Sequence, residues 1–407
     1  HRHAASLIEL NDGRLRAFWF AGSREGGADV AIYSALFDPT RQQWGKDSGW
    51  SSEHLVVDVK QAQSALWRSI KKIGNPVVAR AADGSLRLFL VTVSLGGWAG
   101  SSISVMRSYD EGETWEAPRR LITSPFFNLS TLVKGSPFYY LDGSMGLPVY
   151  HEFIGKFAEL LRLDTQDRVL DKQRLSHGRR NLQPVVLVQD KRHAQVLMRH
   201  GGGGLNRVGI SATEDGGQHW TLPRQSTLAN PNAALSGLAL PGGTLLAVAN
   251  NVEADREVLS LLASRDSGAH WQTLQVLEDQ SAWRAQQAQV KDLAQARSNY
   301  ALRVQEQALL SDVRLLNPPA NKLLEAFTTT STQHMCSPRD CYFEFSYPYL
   351  ILDQHGNLQL LYTWNRSFIK HLTFSQAWLA EKLNLNTVRA QLVPLNGALA
   401  SPPLPSR

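Results

Sequence analysis

Three groups of polar residues in this 407-residue chain have types and spacings suited to chemistry on a bound ligand. The run Gly22-Ser-Arg24-Glu25-Gly-Gly-Ala-Asp29 sets a carboxyl beside two glycines, so Glu25 can move with its loop. Asp29 closes the same run where a strand begins, which leaves it a catalytic or a structural reading. His151-Glu152 follows Pro148-Val-Tyr150 and pairs a titratable ring with a carboxylate at a strand end. The third group is cationic. Arg24, Lys134, Arg199, Arg256 and Arg366, brought together by folding, would make a positive funnel for an anionic ligand. For each arginine a surface ion pair is the plain alternative, and for each lone histidine a packed ring.

The elements that must position these groups are short strands. Leu86–Val93, Ile103–Ser108, Pro184–Val188, Gln195–Met198 and Leu245–Ala249 read as apolar or alternating strands. Three turns share the pattern S/T-x-D-x-G-x-(T/H)-W: Ser108 to Trp115, Thr213 to Trp220 and Ser264 to Trp271. In each the Asp carboxylate accepts from turn N–H groups, Gly takes a positive φ, and Trp folds back over apolar surface. Asp110, Asp215 and Asp266 are therefore structural, and a degenerate fourth copy runs from Asp38 to Trp44. Similar strand openings recur at His3, Asn75-Pro76, Lys134, Gln183-Pro184, Asn232 and Tyr347-Pro348. Six openings predict an all-β, six-bladed β-propeller of four-stranded antiparallel blades, with residues 1–407 forming one such unit. Residues 277–335 are expected to form a mainly helical insertion, helical around 281–312, where Val290, Leu293, Tyr300 and Val304 are roughly at helical spacing. That segment packs on the propeller side, or else acts as a lid or docks a protein partner.

Composition narrows the function classes. Net charge is +6, from 42 basic and 36 acidic residues, but no dense Lys/Arg tract suits a phosphate backbone, so no nucleic-acid partner is expected. No run is apolar enough for a transmembrane helix. Metal motifs such as H-E-x-x-H are absent, and Gly201–Gly204 lacks the Lys and helix of a phosphate loop, so no cofactor is expected. Cys336 and Cys341 bracket a turn-forming Ser-Pro-Arg-Asp and can close a small disulfide or remain free thiols. With His1 rather than Met in first place, the chain reads as a processed product, which favours a periplasmic or extracellular location.

The Asp turns, the openings Asn75-Pro76, Gln183-Pro184, Asn230-Pro-Asn232 and Phe345-Ser-Tyr347-Pro348, and the run Leu361-Tyr-Thr-Trp-Asn-Arg366 resemble the sialidase (neuraminidase) superfamily with its BNR/Asp-box repeats. The resemblance spans nearly the whole chain outside 277–335. It implies a clamp of arginines on a sugar carboxylate, a tyrosine nucleophile activated by a carboxylate, and an acid/base on a mobile loop. Arg199 and Arg256 match two arginines of that clamp, Tyr347 matches the nucleophile, and the Glu25 loop lies where the acid/base belongs. Two positions depart. The chain has His3-Ala-Ala-Ser6 where the family places its first arginine, and Gln183 falls where the activating carboxylate is expected.

The leading reading is an exo-glycosidase that removes a terminal acidic sugar, sialic acid or a related carboxylated sugar, from a glycan. Glu25 is then the acid, Tyr347 the nucleophile or stabiliser, and Asp29, His151 and Glu152 further catalytic candidates. His3, Arg24, Lys134, Gln183, Arg199, Arg256 and Arg366 bind substrate. A uronate lyase would use the same arginines with His3, His151 and Tyr347 as proton-transfer groups. A glycan-binding or assembly propeller without turnover is the third reading.

Overall fold

The computed structural model describes residues 1–43, 47–124, 128–153, 155–176, 178, 180–310, 320–338, 340–389 and 393–397. Trp44 and residues 311–312 lie outside them. Six antiparallel sheets follow one another along the chain as propeller blades, each beginning with the strand nearest the axis. The inner strands are Arg2–Glu9, Lys72–Arg80, a broken one of Leu132–Val133 and Phe138–Tyr139, Asn181–Val188, Ser236–Ala239 and Phe345–Leu352. Blades 1, 2, 4 and 5 have four strands. The broken strand brings blade 3 to five, and blade 6 stops at three.

These inner strands are buried on both faces between neighbouring blades, which is why they read as continuous apolar runs such as Val77-Val78-Ala79 and Val185-Val186-Leu187. The ring closes without exchanging a strand. Arg2 N–H donates to the Arg366 carbonyl at 3.0 Å and Ala4 N–H to Thr363 Oγ1 at 3.2 Å, joining blade 1 to blade 6. Helix α1 (Val59–Leu66) links blades 1 and 2, capped by Asp58. Helices α2 (Ser281–Gln287), α3 (Leu293–Leu310) and α4 (Ala320–Met335) lie between blades 5 and 6, and α5 (Gln376–Leu383) follows blade 6. Tyr300 and Val304 of α3 and Leu379 and Leu383 of α5 bury in one core with Tyr362 and Trp364, so helices cover the flank that a fourth strand would have covered.

One device recurs in the inner strands. Register shifts fall between His3 and Ser6, Gly74 and Val77, Leu182 and Val185, and Ser346 and Tyr349, so two residues there oppose one. The first residue of each bulge has positive φ: Ala4, Asn75, Gln183 and Tyr347. Asn232, just ahead of the blade 5 inner strand, shares that conformation. Pro76, Pro184 and Pro348 occupy the second bulge position, where the ladder is already interrupted and a missing N–H is harmless. Four of the six strand openings seen in sequence, at His3, Asn75-Pro76, Gln183-Pro184 and Tyr347-Pro348, are these bulges, and they re-aim side chains at one end of the axis.

Candidate active site

A belt of hydrogen bonds runs from blade to blade around the bulged end of the axis. Asn75 Nδ2 donates to the Tyr150 hydroxyl at 3.3 Å, and Gln183 Nε2 donates to the same oxygen at 3.2 Å. Arg199 Nη1 donates to Gln183 Oε1 at 3.0 Å, and its Nε to Asn232 Oδ1 at 2.9 Å. Arg256 Nη2 takes the Asn232 carbonyl at 2.8 Å and its Nη1 the Glu344 carboxylate at 3.1 Å. Arg366 reaches the other oxygen of Glu344 through Nε at 3.0 Å and Nη2 at 2.8 Å, and Ser346 Oγ donates to Glu344 at 2.7 Å. Blades 2 to 6 each contribute a member, so no blade could build this site alone.

Burial opposes the charge of Glu344, but Arg256 and Arg366, then His3 and Ser346, outweigh it and hold the carboxyl at about 2. Glu344 is thus a fixed anion that orients two guanidiniums. Arg199, by contrast, is held by neutral Gln183 and Asn232 and keeps its charge for a ligand. Arg366 stands in a tight turn with Asn365, both at positive φ, and Asn365 bridges to the Glu344 backbone at 2.8 Å and 2.9 Å. This strained pair fixes the direction of the arginine.

Tyr347 and its neighbours lie within the belt. The His3 ring centre is 4.3 Å from that of Tyr347, and blade 1 has only Ala4 at the bulge position used by Tyr347 in blade 6. His3 is 3% exposed. Burial, with Arg366, Arg256 and Lys134 adding to it and Glu344 opposing, pushes its ring down to about 3, so it is neutral. Lys134 is buried beside Tyr347 and Tyr349, donates to the Pro348 carbonyl at 3.1 Å, and is pushed by burial down to about 7. Burial foremost raises the Tyr150 hydroxyl, so it stays protonated as a bridge between Asn75 and Gln183.

The second-to-third-strand loops form the rim. Glu25 is exposed in the blade 1 loop, and its charge bears on Lys72 and Arg366, which places it on the funnel side. Gly26, at φ +71, lets this loop pass close to Lys72: an added Cβ would sit 3.3 Å from Lys72 Nζ. Asp29 accepts from Ser23 N–H at 2.7 Å and Ser23 Oγ at 2.9 Å, so its carboxylate shapes the loop. Arg24 is exposed on the same loop. His151 is bound to Glu159 at 2.8 Å and stacked on Phe157, whereas the neighbouring Glu152 charge acts on Tyr150. Arg2 is spent on Glu53, Lys370 on Glu278 and His371 on Gln359.

The folded chain therefore gathers His3, Lys134, Gln183, Arg199, Arg256, Tyr347 and Arg366 at one end of the axis. It also adds residues that sequence reasoning passed over: Glu344, Tyr150 and Asn75. The signal for Glu344 was present. A carboxylate inside Tyr342-Phe343-Glu344-Phe345 must be buried and hence paired. The Asp turns lie at the far ends of blades 2, 4 and 5, where Asp110, Asp215 and Asp266 bind their own turns.

The family of BNR repeat-like domains matches residues 13–360. Among solved structures, the Hadza microbial sialidase Hz136 superposes with a TM-score of 0.63 at 14% identity, over 92% of this chain and 66% of that one. The chain thus spans just under two thirds of that protein. The intramolecular trans-sialidase from Ruminococcus gnavus gives 0.60 at 11% identity, over 93% and 95% of the two chains. A protein of unknown function from Dyadobacter fermentans gives 0.59 at 13% identity, over 92% and 93%. At such identities the likeness is one of fold. Comparison with curated protein sequences yields no match.

Proposed function

This chain belongs to the sialidase-like BNR repeat superfamily, and from that premise we propose that it is an exo-glycosidase releasing a terminal carboxylated sugar from a glycan. The observation that carries the reading is the convergence of Arg199, Arg256 and Arg366 on one belt around Tyr347. The sugar carboxylate lies against Arg199, whose charge no protein carboxylate offsets in the belt, with Arg256 and Arg366 beside it. Glu25, carried in by its loop, gives its proton to the leaving oxygen as the anomeric C–O bond breaks. Gln183 stands where the resemblance expects an activating carboxylate and can take no proton, so the Tyr347 oxygen acts by stabilising the positive charge that develops at the anomeric carbon. Water then adds to that carbon and returns a proton to Glu25, completing hydrolysis. The Cys336–Cys341 disulfide supports an oxidising compartment, periplasmic or extracellular.

The test is a panel of acidic glycans incubated with the protein and followed by mass spectrometry. Release of a terminal acidic sugar by the wild type, lost in Arg199→Ala and Arg256→Ala, is expected. Unchanged turnover in both variants removes the clamp. One observation favours a second reading, elimination from a uronate: the ring packed on Tyr347 is neutral His3, and Gln183 is bonded to Tyr150 and Arg199. Its mark is an unsaturated product with near-ultraviolet absorbance. Binding without consumption on long incubation identifies a glycan-binding propeller instead.

A further inference from the structure

Blade 3 departs from the other blades at the axis. Its inner strand is broken between Leu132–Val133 and Phe138–Tyr139, and the gap holds Lys134-Gly135-Ser136-Pro137. A glycine is needed at 135. A Cβ there would overlap the Pro184 carbonyl oxygen of blade 4, so any side chain would push this segment off the neighbouring bulge. The close approach holds the backbone next to Lys134, whose side chain crosses the axis.

In a ring of six, blade 3 stands opposite blade 6. Lys134 Nζ nevertheless donates to the Pro348 carbonyl of blade 6 at 3.1 Å. Pro348 is the second residue of the bulge that Tyr347 opens at a φ of 53°. A tyrosine keeps that conformation only where its surroundings impose it. Lys134 is part of those surroundings: its Nζ lies 5.9 Å from the Tyr347 ring centre and 5.4 Å from that of Tyr349, within cation–π reach. The His3 ring meets Tyr347 from blade 1 at 4.3 Å. Toward the Asp-turn end, Ser136, Tyr349 and Leu350 line an axial cavity of about 630 Å³, so the funnel floor has no packed core beneath it.

Lysine is seldom this deep without a paired carboxylate. Lys134 is 3% exposed, and burial is the one cause of its shift, so no carboxylate offsets its charge. Its depth also keeps it away from a ligand in the funnel. We infer that Lys134 is a positioning residue, a brace from blade 3 that fixes Tyr347 across the axis and does not itself touch the sugar. The inference deepens the proposed function and rests on it only for Tyr347 acting on a sugar. Burial brings the amine to about 7, so its charge changes across neutral pH beside the phenol ring. The other groups around it hold their state there. His3 is neutral above about 3, Glu344 beyond it is ionised above about 2 between Arg256 and Arg366, and Tyr349 is raised by burial to about 12. The exception is the α-amino group of His1, lowered foremost by burial, on the far side of His3.

The test labels the tyrosine rings with carbon-13 and follows Tyr347 by NMR, its signal identified by its loss in Tyr347→Phe. In the wild type this signal should titrate with a midpoint near 7. Lys134→Met, of similar shape but without charge or donor, should displace the signal and abolish that titration, while the melting temperature holds or rises because no amine is buried. On an acidic glycan that the wild type consumes, kcat should fall about tenfold to a hundredfold, as for a misplaced reacting group. The Kd of N-acetylneuraminic acid should stay within about threefold, since Arg199, Arg256 and Arg366 are untouched. A Tyr347 signal that keeps its place in Lys134→Met, or titrates there as in the wild type, overturns the brace. So does a loss of N-acetylneuraminic acid affinity beyond about tenfold with the signal in place, which would make Lys134 a sugar ligand. Displacement of the signal in a protein that consumes no acidic glycan keeps the brace and removes the proposed function. Should Lys134→Met fail to fold, the wild-type titration is the test: its presence supports the brace and its absence overturns it.

Discussion

The two ends of this propeller are both rich in charged residues, and they use them in opposite ways. At the Asp-turn end the three turn aspartates, Asp110, Asp215 and Asp266, are each satisfied within a few residues. Asp215 accepts from the backbone of Gln218 and His219 and from Thr213 Oγ1, all at 2.9–3.0 Å. At the bulged end the partners lie on different blades, as in the run from Tyr150 through Gln183, Arg199, Asn232 and Arg256 to Glu344. The Asp turns close on themselves and shape the fold, whereas the bulged end gathers arginines from three blades where a ligand can meet them. The most conspicuous aspartates in the sequence are accordingly remote from the candidate chemistry.

The contrast breaks most easily at Glu344. Glu344→Ala would leave Arg256 and Arg366 facing each other without their shared anion. Removing one partner of a buried ion pair destabilises by about 3–5 kcal/mol, and the lower part of that range applies because both guanidiniums are partly exposed. Denaturant unfolding should show this loss, and calorimetry should show acidic-sugar binding abolished. Glu344→Gln, which keeps the shape, should recover most of the stability but little of the binding. If Glu344→Ala binds acidic glycans as well as the wild type, the belt is scaffold and the comparison fails.

Acid sharpens the comparison, because the two ends lose stability over different ranges. His3 is pushed down to about 3 in the fold, among Glu344, Arg366, Arg256, Lys134 and Tyr347, so the unfolded chain binds the extra proton below about 6.5. Its contribution therefore declines as pH falls from 6.5 toward 3. Glu344, at about 2, contributes fully above about 4.5 and loses its contribution as pH falls toward 2. Asp215, also about 2, is lost only below about 4. Between pH 6.5 and 4.5 the fall in melting temperature thus belongs to buried histidines, with His371, pushed by burial down to about 4, adding to His3. His3→Phe should flatten this part of the profile, and Asp215→Ala should leave it unchanged. An unaltered slope in His3→Phe would mean that the ring is not held neutral.

Much of the fold was legible because its signals are local. The Asp turns announce themselves by spacing, and the X-Pro openings proved to be the bulges that aim the site. The cations were legible as cations, but their grouping was not, since Arg199, Arg256 and Arg366 meet only through Asn232 and Glu344. Tyr150 hid in an apolar strand, where its hydroxyl became a bridge between two other blades. His334 hid in a helix whose pattern gives no hint that its last turn packs on His1. Helices α1 and α5 escaped as well, being eight residues each and stabilised by caps at Asp58 and Ser375 and by packing rather than by a long apolar period.

The smallest effect falls at the other end and is the control for the rest. Asp215→Ala removes the acceptor for two backbone N–H groups and the Thr213 hydroxyl, in a turn where Gly217 keeps its φ of +91 and its bond to Thr213. The freed N–H groups reach water at this exposed hairpin, so the loss should be about 1 kcal/mol, near the net worth of one hydrogen bond. Trp220 is held independently, its Nε1 donating to Gln173 at 3.0 Å, so the neighbouring blade contact should survive. Unfolding should therefore shift by that small amount, while binding of N-acetylneuraminic acid and turnover of the acidic-glycan panel match the wild type. A large loss of binding in Asp215→Ala at unchanged stability would mean that the Asp-turn end shares in the ligand site, and the division of labour between the two ends would have to be abandoned.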